Sequence, residues 1–201
     1  MILVNKKILL YFIFLFFSYS CNSLDEKTII SGKTMGTTYS ITLVGDTINE
    51  NIKVSVDSLL SNISNHFSTY LINSEINKVN QSTSKKIHVS EPFIYVLEKA
   101  FYYCDISNGL YDITVSPLVD IWGFSDYKIN SFPSEQLIKR IKNEVGYKNI
   151  SIKGNNIVKQ NKTMQLDLNS LAKGYAVDII CDYLDDQNIS NYIIEIGGEV
   201  R

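Results

Sequence analysis

Leu166-Asp167-Leu168-Asn169-Ser170-Leu171-Ala172-Lys173-Gly174-Tyr175-Ala176-Val177-Asp178 is an apolar-flanked run that turns into a helix and carries a carboxylate, then a lysine, past the turn. A strand over Met164 to Leu168 is expected to feed a helix from Ser170 to about Asp186. The core face of that helix would hold Ala172, Tyr175, Ala176, Ile179, Ile180, Tyr183 and Leu184. A helix N-terminus offers unpaired N–H groups and a partial positive charge. Asp167 at its mouth and Lys173 one turn later therefore suit a phosphate-bearing ligand and its metal. The plainer reading is a surface helix capped by Asn169 or Ser170 that exposes a lysine, and this stretch alone does not separate the two.

Upstream, Thr37 to Val44 alternates as a strand, with Tyr39, Ile41 and Leu43 on one face. Ile52, Val56, Leu59, Leu60, Ile63 and Phe67 recur at helical spacing, so about Ile48 to His66 reads as an amphipathic helix. Ser74 is placed as the N-cap of a short helix through Asn80. Pro92 opens a helix whose Phe93, Val96, Leu97, Ala100, Phe101 and Cys104 share a face, and Asn108-Gly109 closes it as a left-handed cap. Ser134 starts another, with Leu137, Ile138, Ile141 and Val145 inward. Short strands at Asn149 to Lys153 and Ile157 to Gln160 flank a turn at Gly154-Asn155-Asn156, and Tyr192 to Ile196 returns as a strand. Helices and strands intermix without a strict repeat, which predicts one α+β domain, a mixed sheet with packed helices, over residues 31–201.

The 201 residues are 45% apolar and 20% charged, an ordinary globular composition. Residues 1–20 differ: Lys6 and Lys7 precede an unbroken apolar run from Ile8 to Phe17, which reads as an export signal. The run is too short to span a bilayer, which takes ~20 apolar residues. Ser18-Tyr19-Ser20 before Cys21 resembles a lipobox, with Ser18 where Leu is usual, and the same residues also fit ordinary signal-peptidase cleavage. An exported N-terminal thiol would be a reactive liability, and polar residues follow Cys21. The favoured reading is therefore a lipoprotein acylated at Cys21, with residues 21–30 as a tether, anchored on the extracytoplasmic (periplasmic) face of a bacterial membrane. Cleavage removes two lysines and no acid, lowering the net charge from −2 to −4 and disfavouring nucleic-acid binding. His66 and His88 are isolated in sequence, so neither is a metal candidate, and Cys104 and Cys181 read as buried free thiols in preference to a pair.

A second unusual run, Ser107-Asn108-Gly109-Leu110-Tyr111-Asp112-Ile113-Thr114-Val115-Ser116-Pro117-Leu118-Val119-Asp120-Ile121-Trp122-Gly123-Phe124, holds the only Trp. With Thr34-Met35-Gly36-Thr37, Phe67-Ser68-Thr69-Tyr70, Asn73-Ser74-Glu75-Ile76-Asn77 and Gly197-Gly198-Glu199-Val200-Arg201, it resembles the ApbE family of FAD:protein FMN transferases, in the same order along the chain. The resemblance implies an enzyme that splits the FAD pyrophosphate and passes the FMN phosphoryl to a Thr or Ser hydroxyl of an acceptor flavoprotein, releasing AMP with Mg²⁺. Acceptors would be membrane redox-complex subunits of the sodium-pumping NADH:quinone reductase or Rnf type. It further implies flavin contacts at Met35, Tyr70, Leu110, Tyr111, Asp112, Asp167 and Lys173, and a magnesium contact at Ser170. The family's His and its remaining metal ligands would lie in a segment beyond Arg201, so the chain is expected to be C-terminally truncated, with its last strand on an open edge and the catalytic residues outside it.

Each of these residues also has an ordinary role open to it. Most of 13 tyrosines must be packing or surface residues, Asp112 has the position of a loop acid, and Met35 that of a core gap-filler. Trp122, Gly123 and Phe124 read as wall, and Glu75 as a cap of its own short helix. A magnesium-dependent FAD pyrophosphatase and a non-enzymatic flavin-binding lipoprotein are the alternatives.

Overall fold

The computed structural model describes residues 27–45, 51–124 and 132–201; the signal, Cys21 and most of the tether lie outside them. Strand β1 (Lys27–Thr34) pairs antiparallel with β2 (Thr37–Val44). Sequence periodicity identifies β2 but not β1, so the last residues of the expected tether, 27–30, belong to the sheet. The two-residue turn between them is Met35-Gly36, with φ of 49° and 74°. Two positive φ values give the mirror-image turn whose twist matches a hairpin, and glycine adopts its half without strain.

Helix α1 (Ile52–Phe67) buries Ile52, Val56, Leu60, Ile63 and Phe67 as its spacing predicts. Helix α2 (Glu75–Gln81) is capped by Ser74, whose hydroxyl accepts the Asn77 N–H. After β3 (Lys86–His88) comes α3 (Glu91–Ile106), capped by Ser90 and closed at Asn108, φ 53°, by the Gly109 N–H on the Cys104 carbonyl. Helix α4 (Ser116–Ile121) is a turn and a half that the sequence reading leaves as loop. Helix α5 (Glu135–Lys142) begins at Ser134 as expected, but none of its residues is fully buried.

Strands β4 (Ile150–Ile152) and β5 (Asn156–Lys159) form a small antiparallel sheet with β3, in the order β3-β5-β4. Helix α6 (Asn169–Asp186) follows, then β6 (Tyr192–Ile196) and β7 (Glu199–Val200), completing a larger sheet in the order β1-β2-β6-β7. The class is α+β as expected, but every described pairing is antiparallel, so the expected mixed sheet is two antiparallel ones. Nor is β6 open at its edge: β2 flanks one side and β7 the other. The core lies between the inner face of the larger sheet, with Tyr39, Ile41, Leu43, Ile194 and Ile196 all buried, and the apolar faces of α1, α3 and α6. Cys104 and Cys181 are buried free thiols.

The expected strand over Met164 to Leu168 does not form. Among the described residues the segment has no strand partner; the side-chain amide of Asn80 takes the partner's place, donating to the Leu166 carbonyl at 2.9 Å and accepting the Leu166 N–H at 2.8 Å.

Candidate functional site

Asp167 stands at the mouth of α6. Its backbone N–H donates to the Ile113 carbonyl at 2.8 Å, and its Oδ1 accepts the Asn169 N–H at 2.8 Å. Asn169 and Ser170 are thus the first two helical residues and not caps; the carboxylate two residues back does the capping. Ser170 Oγ lies 2.7 Å from Tyr111 Oη, which joins the two unusual sequence runs directly. Burial pushes the Tyr111 hydroxyl above the ordinary tyrosine range, and its bond to Ser170 pulls weakly the other way.

A cavity of about 340 Å³ opens beside this junction. Its walls include Tyr70 and Thr69 from the loop after α1, Asp120 from α4, Phe124, and Gln165, Asp167 and Asn169 from the approach to α6. Asn77 and Asn80 of α2 complete it. Tyr70 is 61% exposed, which leaves an aromatic face free for a ring. Leu110, 95% exposed, and Asp112 do not line this cavity. The Asp112 carboxylate is engaged as a loop acid: Oδ1 accepts the Thr114 N–H and hydroxyl, and Oδ2 accepts the Tyr147 N–H at 3.0 Å.

Lys173 belongs to a second group. Its Nζ donates to the Gly197 carbonyl at 3.3 Å. A Cβ on Gly197, φ 55°, would come within 2.6 Å of Thr37 Cγ2 and 3.2 Å of Lys173 Cδ, so the Met35-Gly36 hairpin turn, the Gly197-Gly198 turn and Lys173 adjoin. Met35 is half-buried and packs on the core. The approach to α6 and its first residue thus bring Asp167 and Asn169 to the cavity, while Ser170 bonds Tyr111 outside the cavity lining and Lys173 reaches toward the paired turns. Trp122 is half-exposed, its ring edge-on to Phe132 at 6.2 Å between centroids.

Residues 35–201 match the model of the ApbE family. The chain belongs to the ApbE family. It is 34% identical over 186 residues to an FAD:protein FMN transferase of Vibrio cholerae and 32% identical over 193 residues to one of Haemophilus influenzae, in each case across 90% of this chain and 56% of the relative. The fold is similar to that of the flavin transferase ApbE from Vibrio cholerae, with a TM-score of 0.85 at 34% identity, covering 88% of this chain and 59% of that one. It is also similar to the Pseudomonas stutzeri flavinyl transferase ApbE, with a TM-score of 0.83 at 28% identity and coverages of 88% and 58%. The chain therefore spans a little over half the length of the relatives it matches.

Within this ApbE chain the sequence reading misses Asp120, Asn77 and Asn80 as cavity residues. A signal for Asp120 was present: Ser116-Pro117 marks a helix start, which puts Ser116 and Asp120 one turn apart on one face. Glu75, read as a cap, instead binds across elements. Its Oε2 meets His66 Nδ1 at 2.6 Å and accepts the Ser90 hydroxyl at 2.7 Å, while Oε1 accepts the Ser90 N–H at 2.6 Å. His66, isolated in sequence, is thereby partnered in space. Among the described residues no cluster of three or more His, Cys, Asp or Glu could hold a metal ion.

Proposed function

We propose that the protein is an FAD:protein FMN transferase: the pyrophosphate bond of FAD breaks, the FMN phosphorus bonds to a Thr or Ser hydroxyl of an acceptor flavoprotein, and AMP leaves. The observation that carries this is the start of α6 and the residues that lead into it. In an ApbE chain, Asp167 lies just before a helix N-terminus, beside a cavity with an open tyrosine face, and Ser170 and Lys173 follow within the first two turns of that helix. Phosphoryl transfer between anionic partners depends on positioning and on cations that neutralise developing charge, roles that Lys173 and the α6 N–H groups suit.

The donor set fits Mg²⁺ in part. Among the described residues one oxygen of Asp167 bonds Asn169, and Asp120 shares its cavity, which gives carboxylate oxygen, the ligand type a hard cation takes; Ser170, whose hydroxyl pairs with Tyr111 outside the cavity lining, would have to offer its backbone carbonyl. With no third acidic partner among the described residues, the site is an open one to which substrate phosphates would contribute. Bound there, the ion would offset charge on the phosphate oxygens. Met35 and Tyr111 would shape the flavin end. We also propose lipid anchoring through Cys21 on the extracytoplasmic face, and membrane redox subunits as acceptors.

The test incubates the full-length protein with FAD, Mg²⁺ and an acceptor domain. An FMN-sized mass increment on one acceptor Thr or Ser, with stoichiometric AMP, is expected. Free FMN without an adduct would point to hydrolysis instead, and FAD binding without turnover to a flavin carrier.

A further inference from the structure

Helix α2 touches the cavity on two sides through side-chain amides. Asn77 Nδ2 donates to the carbonyls of Thr69 and Leu71, both at 2.9 Å, fixing the loop that presents Tyr70. Asn80 pairs both backbone groups of Leu166, one residue before Asp167. Beneath them Lys159, fully buried and with no acidic partner among the described residues, donates to the carbonyls of Val79 at 3.0 Å and Met164 at 3.1 Å. A cation at the C-terminal end of a helix also meets the negative end of its dipole.

The segment from Met164 to Asp167 therefore owes its extended path to side chains. A sheet would hold it by repeated ladder bonds; here one amide and one ammonium do so, and the Asp167 N–H completes the hold on Ile113. We propose that Asn80 is a positioning residue for Asp167, with Lys159 as its buried support, and that this clamp sets how tightly the cavity holds a flavin nucleotide. The proposal rests on the transferase reading for its ligand, but not for the clamp itself.

Two readouts on the full-length protein separate these. The first is hydrogen exchange at the Leu166 amide. Wild-type protein should protect it although no strand covers it, and exchange at the free-peptide rate would overturn the proposal outright. In Asn80→Ala the same amide should exchange about tenfold faster or more, from the loss of two hydrogen bonds. The second is FAD affinity by flavin fluorescence, where Asn80→Ala should raise Kd about tenfold. Tyr192→Phe is the control. It removes the bond to Asp185 at 2.8 Å, near the far end of α6, and should leave both readouts unchanged at a comparable loss of Tm. Faster exchange with unchanged FAD affinity would make Asn80 structural only and overturn the positioning role. If Asn80→Ala does not fold, Lys159→Met, which frees the Met164 carbonyl, is read the same way. If wild-type protein binds no FAD, the transferase reading falls while the exchange result still judges the clamp.

Discussion

One oxygen of Asp167 holds the Asn169 amide, and that bond survives a change that deletes the charge. Asp167→Asn should keep the cap, leaving Tm close to wild type, while Mg²⁺-dependent FAD binding weakens about tenfold or more. Asp167→Ala should lose the cap as well, at about 1 kcal/mol of stability by urea denaturation. Equal stability in the two variants would mean that the Asn169 bond contributes nothing. Tyr111→Phe removes the half-buried hydroxyl's bond to Ser170 and should cost about 1 kcal/mol. If the ring is what meets the flavin, FAD affinity should survive this change and fall in Tyr111→Ala.

Among elements, the junction of α1, α2 and α3 depends on Glu75, whose carboxylate joins His66 to the backbone and hydroxyl of the Ser90 cap. Glu75→Ala leaves several half-buried groups unpaired and should cost about 2 kcal/mol or more in urea denaturation. At the paired turns, Gly197→Ala places a Cβ against Thr37 at a positive φ and should cost about 1–3 kcal/mol, displacing Lys173 as it does so. The elements legible in the sequence are those with long apolar periods: β2, α1, α3 and α6 are all found within a few residues of the expected bounds. Helix α4 and strand β3 have six and three residues, too few to set a period. Met164 to Leu168 has the alternation of a strand, with Met164, Leu166 and Leu168 buried, yet is paired by a side chain that no local pattern announces. The same limit applies to the site. Asp167, Ser170 and Lys173 are legible around one helix start and Asp120 from the Ser116-Pro117 start of α4, whereas Asn80 reaches the cavity only through the tertiary fold.

For the molecule as a whole, burial raises the hydroxyl pKa of Tyr39, Tyr111, Tyr175 and Tyr192. A raised folded value means the unfolded chain gives up its proton first. This stability is therefore complete below about pH 10 and is lost as pH climbs toward the folded values. Lys159 runs the opposite way: burial lowers its pKa, so its contribution grows as pH rises toward about 10.4. Tyr147, Lys53 and the buried thiols Cys104 and Cys181 are raised as well, so with only Lys159 opposing them the urea midpoint should fall between about pH 9 and pH 11, and more steeply in Lys159→Met; a rising midpoint would mean that the lysine dominates. The order of the larger sheet also sets a schedule. Strand β2 finds its second neighbour only when Leu43 meets Tyr192, roughly 150 residues later, and at ~5–20 residues per second a ribosome needs about 7–30 s to make that stretch. Throughout that interval the first hairpin can be covered by α1 and α3 but lacks β6 along the free edge of β2, and a lone hairpin is marginal in water. The nascent sheet thus stays incomplete until β6 emerges, and any product that stops short of Ile196 carries a sticky, unpaired edge on β2.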